Sequence, residues 1–140
     1  MTRIETVLYT ARSRTRDGHD GACRSADGPL DVKLSLPGAS GAGADPEHLF
    51  AAGLSACFFG AIGRAARTLE VVLPADTAVE AEVELGTTGY AYLVQTRLKV
   101  SLPGLSRTAA EAVVAAAREL CPYAKAIRIK VEIARAPGKP

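Results

Sequence analysis

Residues 49–63 read Leu-Phe-Ala-Ala-Gly-Leu-Ser-Ala-Cys-Phe-Phe-Gly-Ala-Ile-Gly, an uncharged apolar run, and no other stretch of the 140-residue chain constrains its folding as strongly. Asp45-Pro46-Glu47 stands just before it. An N-cap residue, a proline suited to the first turn and a first-turn acid together mark a helix start. The helix is expected to run to about Thr68, apolar on nearly every side until Arg64 and Arg67. A helix of that pattern is a central, buried one. The run is shorter than the ~20 residues that span a bilayer and contains three glycines, so it reads as core and no membrane insertion is expected.

Around this helix the chain reads as sheet. Residues 4–10 are β-branched and aromatic and are expected as a first strand. Asp17-Gly18, Asp20-Gly21 and Asp27-Gly28 are turn dipeptides. After them Leu30, Val32, Leu34 and Leu36 alternate with polar residues, and residues 38–43 form a glycine-rich loop. Beyond Pro74, Val79, Ala81, Val83 and Leu85 alternate with Glu80, Glu82 and Glu84. Residues 86–89 turn the chain into a second alternating segment, 92–102, giving an antiparallel hairpin with one wet face. Thr108-Ala-Ala-Glu111 has the form of a capping box, opening a helix that Pro122 stops, with Cys121 on its buried face at the last turn. Ile127, Ile129, Val131 and Ile133 close the chain as a strand. The order β-β-β-α-β-β-α-β predicts an α+β domain with antiparallel sheets around central buried helices. So apolar a helix, with two sheet faces to cover, favours a homodimer.

The bulk numbers bound the function. One domain over residues 1–140 follows from the length. A formal charge of +2 argues against nucleic acid as the main partner. Arg12, Arg14 and Arg16 alternate, which reads as a solvated hairpin rather than a binding stripe. Residues 6–11 are too short and mixed for a secretory signal. An odd number of cysteines, three, disfavours an extracellular disulfide framework and fits a cytoplasmic protein.

The chemistry sits in Cys57 and Cys121, which lie 64 positions apart. Each has a structural reading as a small buried hydrophobe. The functional reading is a dithiol set in an apolar wall, and it needs a cation, because the thiolate is the nucleophile and burial opposes its formation. Glu47 cannot activate a thiol itself, but it could hold a cation beside the sulfur; its structural reading is a first-turn acid favourable to the helix dipole. Cys23, next to Arg24, fits no scheme, and no metal is expected, because His19, Cys23, His48, Cys57 and Cys121 lack the paired spacing of a zinc site.

Four segments carry a resemblance: Tyr9-Thr-Ala11, Leu30-Asp-Val-Lys-Leu-Ser35, the block from Asp45 to Phe58, and Cys121-Pro-Tyr-Ala124. Together they resemble the organic hydroperoxide resistance branch of the Ohr/OsmC family, in order and over essentially the whole chain. The resemblance implies an intertwined homodimer with two active sites at its interface, reducing organic hydroperoxides, fatty-acid ones included, to alcohols. It implies Cys57 as the attacking thiolate, Cys121 as the residue that resolves its sulfenic acid into a disulfide, and Glu47 as the acid that positions a catalytic arginine. Phe50, Leu54 and Phe58 would line the pocket for an alkyl tail. No bound cofactor is implied; the expected reductant is a dithiol, typically the lipoyl group of a lipoylated protein. The family's arginine is where this chain departs: counting from both flanks without a gap leads to His19, whereas Arg16 serves only after a three-residue shift. Histidine is charged only near or below pH ~6.5 unless a carboxylate raises its pKa, and Glu47 is the candidate for that carboxylate. The alternative reading is a non-catalytic dimer that binds a hydrophobic ligand or senses oxidation.

Overall fold

A computed structural model describes residues 3–17, 21–26, 28–36 and 43–134. The chain divides into two compact units, Met1–Pro46 and Glu47–Pro140.

The first unit is a three-stranded antiparallel sheet in the order β1 (Ser13–Arg16), β2 (Ala22–Ser25), β3 (Asp31–Lys33). Its register aligns Thr15, Cys23 and Val32 across the strands. Asp17 turns out of β1 with φ 61°. At Gly21, just before β2, a side chain would run into the carbonyl of Arg16, so the chain can return there only on a residue that lacks one. The strand expected over residues 4–10 is absent: the segment is irregular, and Leu8 and Tyr9 are exposed. A β-branched segment suits a ladder but does not supply one, and these residues find no strand to pair with among the described residues. The first strand is instead the exposed Ser-Arg-Thr-Arg segment, so Arg14 and Arg16 lie on a solvated strand as expected. Turn residues 18–20 and loop residues 37–42 lie outside the described residues.

The second unit is built on α1 (Pro46–Thr68), whose bounds follow the sequence signals. Leu54, Phe58, Ala61, Ile62 and Ala65 are fully buried, sharing one core with Leu98 and Val100 of β5 (Ala91–Ser101) and with Ala110, Val113, Val114 and Ala117 of α2 (Arg107–Leu120). In the single chain Ala52, Ala56, Phe59 and Gly60 of this helix are exposed, because the unit offers packing partners to one side of it only. α1 is long and apolar enough to cross a membrane by length and composition, but a face locked into a sheet-and-helix core is that of a core helix.

β4 (Ala78–Thr88) pairs with β5 in an antiparallel hairpin, and the turn lies later than expected. Gly89, with φ 59°, and Tyr90 are the two central residues, so Gly86 to Thr88 remain in the strand. Glu82 and Arg97 pair at 3.4 Å on the wet face. β6 (Lys130–Ile133) runs parallel to β5, correcting the purely antiparallel expectation. The chain returns from β5 through α2 and α3 (Pro122–Ala126), and a crossover of that length delivers the next strand in the same direction.

The cap of α2 also differs. Ser106 is the N-cap, its Oγ accepting from the Ala109 N–H at 3.1 Å, while Thr108 lies inside the first turn and is exposed. Chemical denaturation should separate the two: Ser106→Ala is expected to cost about 1 kcal/mol, and Thr108→Ala less than about 0.5 kcal/mol.

Candidate active site

The core just described brings two distant cysteines together. Cys57 lies midway along α1, three residues after Leu54 and one before Phe58. Cys121 lies at the junction of two helices, as the last cap of α2 and the first cap of α3. Its N–H donates to the Ala117 carbonyl at 2.9 Å, which ties it to the buried face of α2. Pro122 then occupies the first position of α3, where its missing N–H has no helical partner to lose.

The two sulfurs stand 3.4 Å apart. Closing a disulfide requires an approach of only about 1.4 Å, to the ~2.05 Å of an S–S bond. The two thiols differ in access: Cys121 is 0% exposed, whereas Cys57 is partly exposed. A reagent from solvent therefore reaches Cys57 first.

The surroundings of Cys57 oppose its ionisation on balance. Burial pushes its pKa up, and the hydrogen bond with Cys121 adds to that; the Tyr123 backbone N–H pulls the other way, Cys121 raises it further through charge, and the Arg64 guanidinium lowers it. The Tyr123 N–H is available because it lies in the first turn of α3, where a helical N–H has no carbonyl to bond. The tyrosine ring covers Gly53, one turn before Cys57: a Cβ on that glycine would lie 3.8 Å from the ring and 4.0 Å from the phenolic oxygen.

Glu47 is in the first turn of α1, and its Oε1 is buried without a hydrogen-bond partner among the described residues. Ten residues of helical rise separate it from Cys57 by about 15 Å along the axis, so a cation gripped by this carboxylate is not thereby placed against the sulfur of the same chain. Leu54 and Phe58 are fully buried in the core, and Phe50 is half-buried. His19 lies outside the described residues, and Arg16 is exposed on β1, in the other unit. Among the described residues no group of three His, Cys, Asp or Glu side chains could hold a metal. Two contributors escape a reading by residue type. The Tyr123 N–H is a backbone group whose only signal was the proline before it. Arg64 is signalled by its spacing, seven residues and two turns from Cys57.

Fold and site together match a known class. The profile of the OsmC-like protein family matches residues 38–134, and the chain belongs to that family. Its relatives include organic hydroperoxide resistance proteins: that of Xanthomonas axonopodis pv. citri is 35% identical, covering 95% of this chain and 96% of its own. OhrB of Bacillus subtilis superposes with a TM-score of 0.83 at 35% identity, covering 91% of this chain and 100% of its own. A Vibrio cholerae structure described as a putative organic hydroperoxide resistance protein, with captopril bound in one of the active sites, gives a TM-score of 0.85 at 30% identity, covering 94% and 95%.

The pairing of the thiols has a consequence that alkylation can read. Cys121 raises the Cys57 pKa, so removing it should leave more thiolate at a given pH. Cys121→Ala is expected to speed iodoacetamide labelling of Cys57, mapped by peptide mass spectrometry at pH 7.5, by about two- to fivefold.

Proposed function

We propose that this protein is a thiol-dependent peroxidase that reduces organic hydroperoxides to alcohols, acting as a homodimer in the cytoplasm. The observation that carries the reading is the 3.4 Å sulfur pair in which only Cys57 is open to solvent. The relatives named for organic hydroperoxide resistance support the substrate class.

In the first step the Cys57 thiolate attacks the terminal oxygen of the hydroperoxide. The S–O bond forms, the O–O bond breaks, and the alkoxide leaves with a proton as the alcohol, leaving a sulfenic acid on Cys57. The Cys121 sulfur then attacks the Cys57 sulfur; the S–S bond forms and the hydroxyl departs as water. One hydroperoxide is thus reduced by two electrons and two thiols are oxidised to one disulfide. A dithiol such as a lipoyl group restores both thiols by exchange and becomes a disulfide itself.

Two observations support a dimer. Ile4, Val7, Leu8 and Tyr9, and the hairpin end at Tyr90, Tyr92 and Leu93, are exposed apolar surface of a kind a second copy would cover. The Oε1 of Glu47, without a partner among the described residues, is costly unless a donor reaches it, and a second copy is one source of a further cation for it and for Cys57. His19 and Arg16 are the candidates. With His19 in that role, kcat/KM for cumene hydroperoxide between pH 5.5 and 8.5 should be bell-shaped, rising as the thiol ionises and falling as the imidazolium loses its proton. Arg16 gives no alkaline fall, and a flat profile unchanged by His19→Ala excludes His19.

Thiol titration tests the function itself. One equivalent of alkyl hydroperoxide should remove two of the three thiols per chain, leaving Cys23, and Cys57→Ser should abolish the loss. No loss in the wild type would overturn the peroxidase in favour of a binding module. A second reading, an oxidation sensor, is favoured by the same neighbouring thiol of Cys121, and it would lose the same two thiols yet fail to turn over with dihydrolipoamide.

A further inference from the structure

Besides the cation imported from elsewhere, α1 carries one of its own. Arg64 follows Cys57 by seven residues, two turns along the same helix. Its side chain is exposed but folds back toward the helix N-terminus, the direction long helical side chains favour: a Cβ placed on Gly60 would lie 3.9 Å from Arg64 Nη1. Gly60 is three residues after Cys57, so the guanidinium rests one turn from the sulfur, over bare backbone. Among the described residues no carboxylate pairs with it. Arg67 repeats the arrangement one turn further on, its Nη1 lying 3.8 Å from a Cβ placed on Gly63.

We propose that Arg64 is a positioning residue for the Cys57 thiolate, a same-chain positive charge that Gly60 allows to lie toward the sulfur and that acts on it without touching it. The proposal rests on the peroxidase reading only for its purpose; the charge effect itself needs no peroxide. The other groups that face Cys57 are known. Cys121, at the α2–α3 junction, raises its pKa; the Tyr123 N–H from α3 lowers it; and Arg64 is the one cation among the described residues that acts on it. The core cluster against which Cys57 packs, with Leu98 and Val100 of β5 and Val113, Val114 and Ala117 of α2, is apolar. A guanidinium stays charged across the working pH range, unlike a histidine, so this contribution persists where His19 has lost its proton.

Alkylation of Cys57 by iodoacetamide, followed from pH 6 to 10 at low salt, tests this without substrate. Arg64→Gln should shift the profile upward by about half a pH unit and slow labelling at pH 7 about threefold, Arg64→Lys should stay near the wild type, and 0.5 M NaCl should erase the difference because the charge is exposed. Arg67→Gln, one turn more remote, should move the profile less. Superimposed profiles for wild type and a folded Arg64→Gln, checked by circular dichroism, would overturn the proposal. Should Arg64→Gln not fold, an Arg64→Lys profile shifted as far from wild type as that of Arg64→Ala would overturn it, since the charge would be present without effect. Hydroperoxide turnover measured on the same samples keeps the two claims apart. A shifted profile without turnover sinks the peroxidase and leaves Arg64, while turnover with an unshifted profile does the reverse.

Discussion

The burial of one face of α1 against β5 and α2 is the contact on which the rest depends. Leu54, Phe58, Ala61, Ile62 and Ala65 make that face, with Leu98 and Val100 beneath and Val113 and Ala117 alongside. Burying side chains of this size contributes about 1.5–3 kcal/mol each for the larger ones. The same contact holds the side of α1 that carries Cys57 beside the end of α2, where the Cys121 N–H is anchored on Ala117. Sulfur proximity is thus a by-product of core packing. It needs no flexible loop, and both thiols stand on elements that cannot drift apart without opening the core.

Placing a reactive thiol in such a wall creates a charge problem. Apolar surroundings disfavour the thiolate form of any cysteine placed in them. The second unit answers only in part, with one backbone N–H from Tyr123 and the guanidinium of Arg64. The buried Glu47 Oε1, without a partner among the described residues, states a complementary need, an acceptor waiting for a donor.

Most of the second unit was legible in the residues. The bounds of α1 followed from Asp45-Pro46-Glu47 and the end of the apolar run, because capping and periodicity are local physics. The β4–β5 hairpin was legible for the same reason, although its turn slid to Gly89-Tyr90, since alternation in Val83 to Leu85 marks a strand but not where it stops. Three features were not legible. Residues 4–10 have strand composition without a strand to join; β6 owes its parallel direction to the crossover before it; and the α2 cap went to Ser106 because cap geometry, not the Ser/Thr-x-x-Glu pattern, selects the residue whose oxygen meets a free N–H.

The sequence by itself determined the helices, the hairpin and the identity of the two thiols, because propensity, capping and apolar spacing act over a few residues. It also carried the family, through blocks around Cys57 and Cys121 that lie in order along the chain. Only the tertiary structure decided that sulfurs 64 positions apart stand 3.4 Å from each other, that one is shut away while the other is open, and that Arg64 turns back over Gly60 toward it. Those are matters of which surfaces meet, and the burial that brings them together is a property of the packed core rather than of any segment within it.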